Sequence, residues 1–130
     1  MVALLSPVWL DQRRDLGAAL PERPGASARL QHVVSGAPNG PIAYVEVFED
    51  GRLTAVSWGP AEEAAVDVTI NETYEDAVAI ARGELDLHVG FMRGRVKIVG
   101  PMGSLMAVLP ATQSEEHTAL VRQLAEQTDR

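Results

Sequence analysis

The sequence contains no cysteine, and this absence excludes disulfide bonds, thiol catalysis and zinc sites built on cysteine. Basic residues are outnumbered, because 11 lysines and arginines stand against 18 aspartates and glutamates, a formal net charge of −7. Since nucleic acids are polyanions bound through basic patches, this balance argues against DNA and RNA as partners. No apolar run approaches the roughly 20 residues of a membrane helix, and residues 1–5 are too few for a signal-peptide core. We therefore expect a cytoplasmic protein without stable membrane insertion.

The length of 130 residues fits one domain with a core of its own. We expect residues 1–27 to form an N-terminal helix and a linker, and residues 28–110 to form the main body. Residues 111–130 then supply a C-terminal helix. Ser6 followed by Pro7 is typical of a helix start.

Alternating apolar residues predict strands at residues 29–34, 42–49, 52–58, 66–70 and 95–99. Asp50-Gly51 between two apolar runs indicates a hairpin with a two-residue loop, which pairs Glu49 with Arg52 and Val47 with Thr54. The more apolar face of this hairpin is predicted to point inward. Its residues are Ala43, Val45, Val47, Val56 and Trp58. We also expect Asp67 to pair with Arg95 or Lys97 across the sheet.

Capping and breaking residues place the remaining helices. Thr73 or Asn71 is expected to cap a helix that ends at Gly83, and Asp86 a short helix that reaches Phe91. Pro101 begins an almost wholly apolar helix that is expected to end at Pro110, and Ser114 caps the last one. Strands separated from helices in this order predict an α+β fold with helices on one sheet face.

The sequence offers no recognisable catalytic, metal or cofactor motif. His32, His88 and His117 lie far apart, whereas a zinc site needs three or four converging ligands, so we interpret them as exposed or hydrogen-bonded residues. Ser104 follows a glycine but lacks the second glycine of a nucleophile elbow. Residues 100–103 lack the lysine of a phosphate-binding loop. We therefore predict no catalytic residue, no metal ligand and no cofactor.

Methionine and other apolar residues cluster in one short span. Met92, Met102 and Met106 fall close to Leu105 and Leu109. Methionine fills irregular space, so the cluster is compatible with a soft core or with an adaptable pocket. The pattern alone favours an ordinary core.

Five short phrases, in this order and spacing, resemble the sterol carrier protein type 2 family. They are Phe48-Glu49-Asp50-Gly51, Asp67-Val68-Thr69-Ile70, Tyr74-Glu75-Asp76, Gly83-Glu84-Leu85-Asp86 and Phe91-Met92-Arg93-Gly94-Arg95-Val96-Lys97-Ile98. The resemblance implies a stand-alone member with a five-stranded mixed, largely antiparallel sheet and helices on one face, enclosing a hydrophobic tunnel. It departs at Pro101, where many members have aspartate, and at Arg95, where many have lysine. The richness of the chain in alanine, valine and arginine favours a bacterial source.

The resemblance also implies a function, namely binding and transfer of a fatty acid, a fatty acyl-CoA, a sterol-like molecule or another lipid without catalysis. We expect the tunnel to be lined by Phe91, Met92, Met102, Leu105, Met106 and Leu109, with Val45, Trp58 and Leu120 as further candidates. Two alternatives stay open: an accessory domain with a filled interior that serves a partner enzyme, and an enzyme that acts on a small hydrophobic substrate. A protein partner and the oligomeric state are also left open.

Overall fold

The computed structural model describes residues 2–129. Its helices and strands are β1 Val2–Ala3, α1 Pro7–Gly17, β2 Ala28–Ser35, β3 Ile42–Glu49, β4 Arg52–Trp58, β5 Val68–Thr73, α2 Tyr74–Ala81, α3 Leu87–Met92, β6 Lys97–Val99, α4 Met102–Thr112, α5 Glu115–Glu126 and β7 Thr128–Asp129. The main sheet has the strand order β4-β3-β2-β5-β6, and β1 pairs with β7 in a small second sheet. In the main sheet β2 and β5 are parallel, whereas the other neighbours are antiparallel. The predicted α+β architecture with a mixed sheet of five strands is confirmed.

Hydroxyl caps begin three of the helices where the sequence predicts them. The side chains of Ser6, Thr73 and Ser114 each accept a hydrogen bond from a backbone N–H in the first helical turn. The predicted end of α4 at Pro110 is wrong, because the helix continues to Thr112. A proline this close to the end removes only its own N–H from the last turn, and the N–H of Gln113 still donates to the carbonyl of Leu109 at 2.8 Å.

A β-bulge changes the predicted face of the hairpin. Glu49 pairs with Arg52 as predicted, but Phe48 pairs with Leu53 and Val47 with Ala55, so Thr54 is an extra residue in β4. Because side chains alternate along a strand, residues that pair across a hairpin share one face. Val56 and Trp58 therefore lie on the face of Glu46 and Tyr44, their partners, and not on that of Val45.

The inner face of the sheet, which the helices cover, carries the even-numbered residues of β3. Phe48 belongs to the core cluster that joins the sheet to α4 through Leu105 and Val108, and Tyr44 belongs to a second cluster with Trp9 of α1. The prediction that Ala43, Val45 and Val47 point inward is wrong. The bulge and the stronger burial of the two aromatic side chains decide the orientation.

The connection from β6 to α4 approaches β5 very closely at Gly100. Its φ is +128°, and a Cβ built there would lie 2.5 Å from the carbonyl oxygen of Asp67. Glycine is needed for both reasons, and the contact sets the point at which α4 begins above the sheet.

Asp67 has a different partner from the one predicted. Its carboxylate accepts a hydrogen bond from the backbone N–H of Arg29 at 2.8 Å and lies 3.7 Å from the guanidinium of the same residue. Arg95, one of the two predicted partners, instead donates to Asp76. Asp67 precedes β5 and therefore lies beside the start of β2, where an unpaired backbone donor needs an acceptor.

Between Val2 and Asp129, the protein has no helix whose length and apolar character would allow it to cross a bilayer.

Candidate functional site

The six main candidates for the ligand site surround one apolar groove with a volume of about 270 Å³. The groove lies between α3, β6 and α4. Its lining residues are Leu87, His88, Phe91, Met92, Ile98, Met102, Leu105, Met106 and Leu109. Since Leu105 is buried in the core while Met106 on the next position is 58% exposed, α4 contacts the sheet on one side and leaves the groove open to solvent on the other.

The three remaining candidates lie elsewhere in the fold. Val45 is on the outer sheet face, where it pairs with Gln31 and Ser57. Trp58, at the end of edge strand β4, is 46% exposed, and Leu120 is buried within α5. None of these three side chains lines the groove or the larger cavity beside it.

The larger cavity has a volume of about 570 Å³ and lies between the inner sheet face, α2, the end of α4 and α5. Apolar side chains such as Leu30, Phe48 and Leu85 form part of its wall. Leu87, His88 and Leu109 line this cavity and the groove alike, so the two hollows adjoin.

A buried polar cluster forms the floor of the larger cavity. His32 of β2 stands between two carboxylates, with Nε2 3.0 Å from Glu46 Oε1 on β3 and Nδ1 3.1 Å from Glu72 Oε1 on β5. His32 pairs with Tyr44 on one side and with Ile70 on the other, and paired residues share one face of the sheet. Glu46 and Glu72 lie two positions further along these strands, so all three polar side chains are on the inner face.

Two helices complete this polar cluster. Arg13 of α1 donates from Nε to Glu46 Oε2, and its Nη2 lies 3.1 Å from Nε2 of His117 on α5. The ring of Tyr44 stacks on the imidazole of His32 with centroids 4.6 Å apart. We refer to Arg13, His32, Glu46, Glu72 and His117 as the polar floor.

The charges of the polar floor stabilise one another. Burial disfavours the imidazolium of His32, but hydrogen bonds to Glu46 and Glu72 outweigh it and raise the pKa of His32 from 6.5 to about 9. Burial likewise opposes ionisation of Glu46, yet Arg13 and His32 hold the pKa of that carboxyl well below its usual range. His117 differs, because burial and the neighbouring Arg13 both lower its pKa, to about 3. Its Nε2 therefore accepts a hydrogen bond from Arg13 at neutral pH.

Two buried polar atoms on the wall of this cavity have no hydrogen-bond partner among residues 2–129. They are the carboxylate oxygen Oε2 of Glu72 and the indole Nε1 of Trp9, and both residues line the cavity. Buried polar atoms are nearly always satisfied, so each of these two requires a partner from outside the chain, either a water molecule or a group of a ligand.

The polar floor was not predicted from the sequence. His32 was interpreted as an exposed or hydrogen-bonded residue, without its partners, and Glu46 was not among the residues predicted for the inward face of β3. A signal was present in β2, where His32 lies in phase with Leu30 and Val34 and is thus expected on the buried face. Glu46 lacked such a signal, because apolar residues occupy both faces of β3.

The groove offers an apolar surface on which a hydrocarbon chain can lie. The adjoining cavity offers hydrogen-bonding groups at its floor. In the part of the chain that the structure describes, no three histidine, aspartate or glutamate side chains are grouped so that they could hold a metal ion. The groups of the two hollows can make apolar contacts and hydrogen bonds.

Comparison with known proteins finds similarity both to a sequence family and to solved structures. The model of the SCP-2 sterol transfer family matches residues 11–112. The crystal structure of a sterol carrier protein 2 is similar with a TM-score of 0.73 and 19% identity, over 92% of this chain and 98% of that chain. The solution structure of a conserved hypothetical protein from Thermus thermophilus gives a TM-score of 0.66 and 18% identity, over 96% of this chain and 92% of that one.

The same fold occurs as a small part of a larger protein. In a stereoselective inverting sec-alkylsulfatase from Pseudomonas sp., the similar region covers 75% of this chain but 15% of that chain, with 24% identity and a TM-score of 0.54. At these identities the likeness of solved structures concerns the fold alone. Among curated proteins, none matches this chain.

Proposed function

Because the chain belongs to the SCP-2 sterol transfer family, we propose that it binds a lipid or another apolar small molecule and carries it without changing it chemically. The observation that carries this proposal is the apolar groove between α3, β6 and α4, which adjoins a cavity of about 570 Å³. Ligand sites are typically concave and mostly apolar, with a few polar groups that fix orientation.

The driving force for such binding is the removal of hydrocarbon from water. Each methylene buried contributes about 0.8 kcal/mol, so ten methylenes contribute roughly 8 kcal/mol before the cost of ordering the ligand. Micromolar affinity corresponds to about −8 kcal/mol, so we expect a weak to moderate, reversible complex. A carrier needs such reversibility, because it must also release its ligand.

Three methionines give the groove an adaptable wall. Met92, Met102 and Met106 line it together, and their unbranched side chains adjust to ligands of different shape. The adjoining hollows support an open interior and speak against an accessory domain with a filled core. We therefore expect a broad preference among apolar chains of similar length.

The proposal is tested by uptake of a pyrene-labelled fatty alcohol, followed by fluorescence. Met106→Asp places a charge in the apolar groove and is expected to reduce affinity at least about tenfold, while the exposed position keeps the fold intact. Val8→Asp is the matched control, because Val8 is equally exposed, at 57%, but lies on α1 and lines neither hollow. Equal uptake by both variants and the parent would overturn the proposed groove.

A second candidate function is catalysis on a small hydrophobic substrate, and the polar floor is the observation that favours it. Perturbed pKa values in a cavity are a feature of active sites. However, His32 with a pKa of about 9 is protonated at neutral pH and is engaged by both carboxylates, so it is not available as a general base.

Recovery of bound lipid after prolonged incubation, with its mass measured, separates the two candidates: an unchanged mass supports a carrier, and a product supports an enzyme.

A further inference from the structure

We propose that the polar floor is a head-group site that selects apolar ligands with a hydrogen-bond donor, a hydroxyl or an amine, and disfavours carboxylates at the same position. This inference deepens the proposed function and rests on it. The acceptor that would receive the donor is Oε2 of Glu72.

The geometry of Glu72 singles out this atom. One carboxylate oxygen, Oε1, lies 3.1 Å from Nδ1 of His32 and is held there, whereas Oε2 is buried and has no partner within residues 2–129. The whole side chain is about 2% exposed and lines the larger cavity. A carboxylate oxygen fixed in this way offers a preorganised acceptor, and a donor on the ligand satisfies it without rearrangement of the protein.

The charges around this acceptor argue against an anionic head group. The positive charges of Arg13 and the protonated His32 equal in number the negative charges of Glu46 and Glu72, so the polar floor has no formal net charge. Arg13 directs Nε to Glu46 and Nη2 to His117, so two of its three guanidinium nitrogens already have partners within the protein. A ligand carboxylate placed here would add a buried negative charge next to Glu72 and would be repelled.

The walls of the cavity indicate where the rest of such a ligand would lie. Leu30 and Phe48 border the floor, and Leu87 and Leu109 continue into the groove. A hydrocarbon chain attached to the donor thus has an apolar path from the floor into the groove. One amphiphile extends through both hollows in this arrangement, with its polar end buried.

The test compares three ligands of equal chain length by isothermal titration calorimetry at pH 7, namely decanol, decylamine and decanoic acid. The alcohol or the amine is expected to bind at least about tenfold more tightly than the acid. The better of these two identifies whether the preferred donor is neutral or charged. Equal binding of all three, or a preference for the acid, would overturn the inference while leaving the carrier proposal intact. Absence of binding by any of them would contradict the carrier proposal itself and, with it, this inference.

Glu72→Gln provides the sharper experiment. It keeps one oxygen as an acceptor for His32 and replaces Oε2 by an NH2 group, which donates hydrogen bonds and does not accept them. The preference for decanol over decanoic acid is expected to vanish or reverse. Glu84→Gln is the matched control, since Glu84 lines the same cavity and loses the same charge, yet its side chain is 56% exposed and apart from the floor. An unchanged preference in a folded Glu72→Gln protein contradicts the inference. Glu72→Asp, which withdraws the carboxylate by one methylene, is expected to weaken decanol binding and serves if the glutamine variant does not fold.

Discussion

His32 and Glu46 form a buried hydrogen bond between neighbouring strands, with Nε2 of the imidazole 3.0 Å from Oε1 of the carboxylate. The bond joins the centre of the sheet to α1 through Arg13, which donates to the other oxygen of Glu46. Side chains from β2, β3 and α1 are thereby locked into one arrangement beneath the larger cavity. This relationship has direct consequences for stability, in addition to those proposed for binding.

The stability of the protein is expected to fall as the pH rises from about 6.5 to about 9. The pKa of His32 is raised from 6.5 to about 9 in the folded protein, so its contribution is complete below pH 6.5 and is lost as the pH rises through the folded pKa. At about 1.4 kcal/mol per pKa unit, the loss is on the order of 3 kcal/mol. Urea unfolding measured at several pH values checks this expectation.

A pair of histidine variants tests whether His32 causes this pH dependence of stability. His32→Gln removes the titrating group, so the decline in the free energy of unfolding over this range should largely disappear. His88→Gln, at a partly buried position that has no part in the polar floor, should retain it. If both variants follow the parent, another group is responsible and the ion pairs of His32 contribute little.

Removing the carboxylate of Glu46 should destabilise the protein strongly. Glu46→Gln leaves the buried cations Arg13 and His32 without their shared counter-charge, which typically costs about 3–5 kcal/mol. Arg13→Met in the same background is expected to recover part of the loss, because the unpaired guanidinium is then absent. A double-mutant cycle by chemical denaturation measures the coupling, and additive effects would contradict a direct interaction.

Replacing either of two glycines near the start of α4 by alanine should change the stability of the protein, in opposite directions for the two positions. Gly100→Ala introduces a Cβ 2.5 Å from the carbonyl oxygen of Asp67 at a φ of +128°, so a loss of at least about 1–3 kcal/mol is expected. Gly103→Ala lies within α4, where no atom would meet the new Cβ within 4 Å, and should stabilise the helix by about 0.5–1 kcal/mol. Thermal unfolding of the two variants gives both signs, and equal melting temperatures would speak against the close approach at Gly100.

Two neighbouring positions in α4 line the same groove but should differ in how much they contribute to stability. Leu105 belongs to the core, and Leu105→Ala is expected to cost about 2–5 kcal/mol. Met106→Ala removes a side chain that is mostly exposed and should change the free energy of unfolding by less than about 0.5 kcal/mol while weakening ligand binding. Denaturation and uptake measured on the same two samples test this division. A large loss of stability in Met106→Ala would show that its side chain is part of the core.

Much of the fold was predictable because local signals determined it. The hydroxyl caps at Ser6 and Ser114 and the glycine turn after Asp50 depend on short-range hydrogen bonds and backbone geometry, which the sequence displays directly. The lining of the groove was expected from the family resemblance, because the local pattern alone favoured an ordinary core. In the structure α3, β6 and α4 follow one another closely and bring Phe91, Ile98 and Met106 together.

The polar floor was less predictable because it depends on long-range pairing. Thr54 adds one residue to β4 and alters which side chains of β4 and β3 share a face, and alternation alone does not locate such a bulge. Arg13 and Glu46 are 33 positions apart, and no local pattern joins them. The partner of Asp67 was missed for the same reason, since it depends on the parallel pairing of β2 with β5.

The most direct test of the account is NMR of the protein labelled with 13C at the methionine methyl groups and titrated with decanol. Met92, Met102 and Met106 line the groove, and each signal can be assigned by a single methionine-to-leucine substitution. We predict that all three signals shift together and saturate at one equivalent of ligand. If decanol binds and these three signals remain in place, the hydrocarbon lies elsewhere and the proposed groove is wrong.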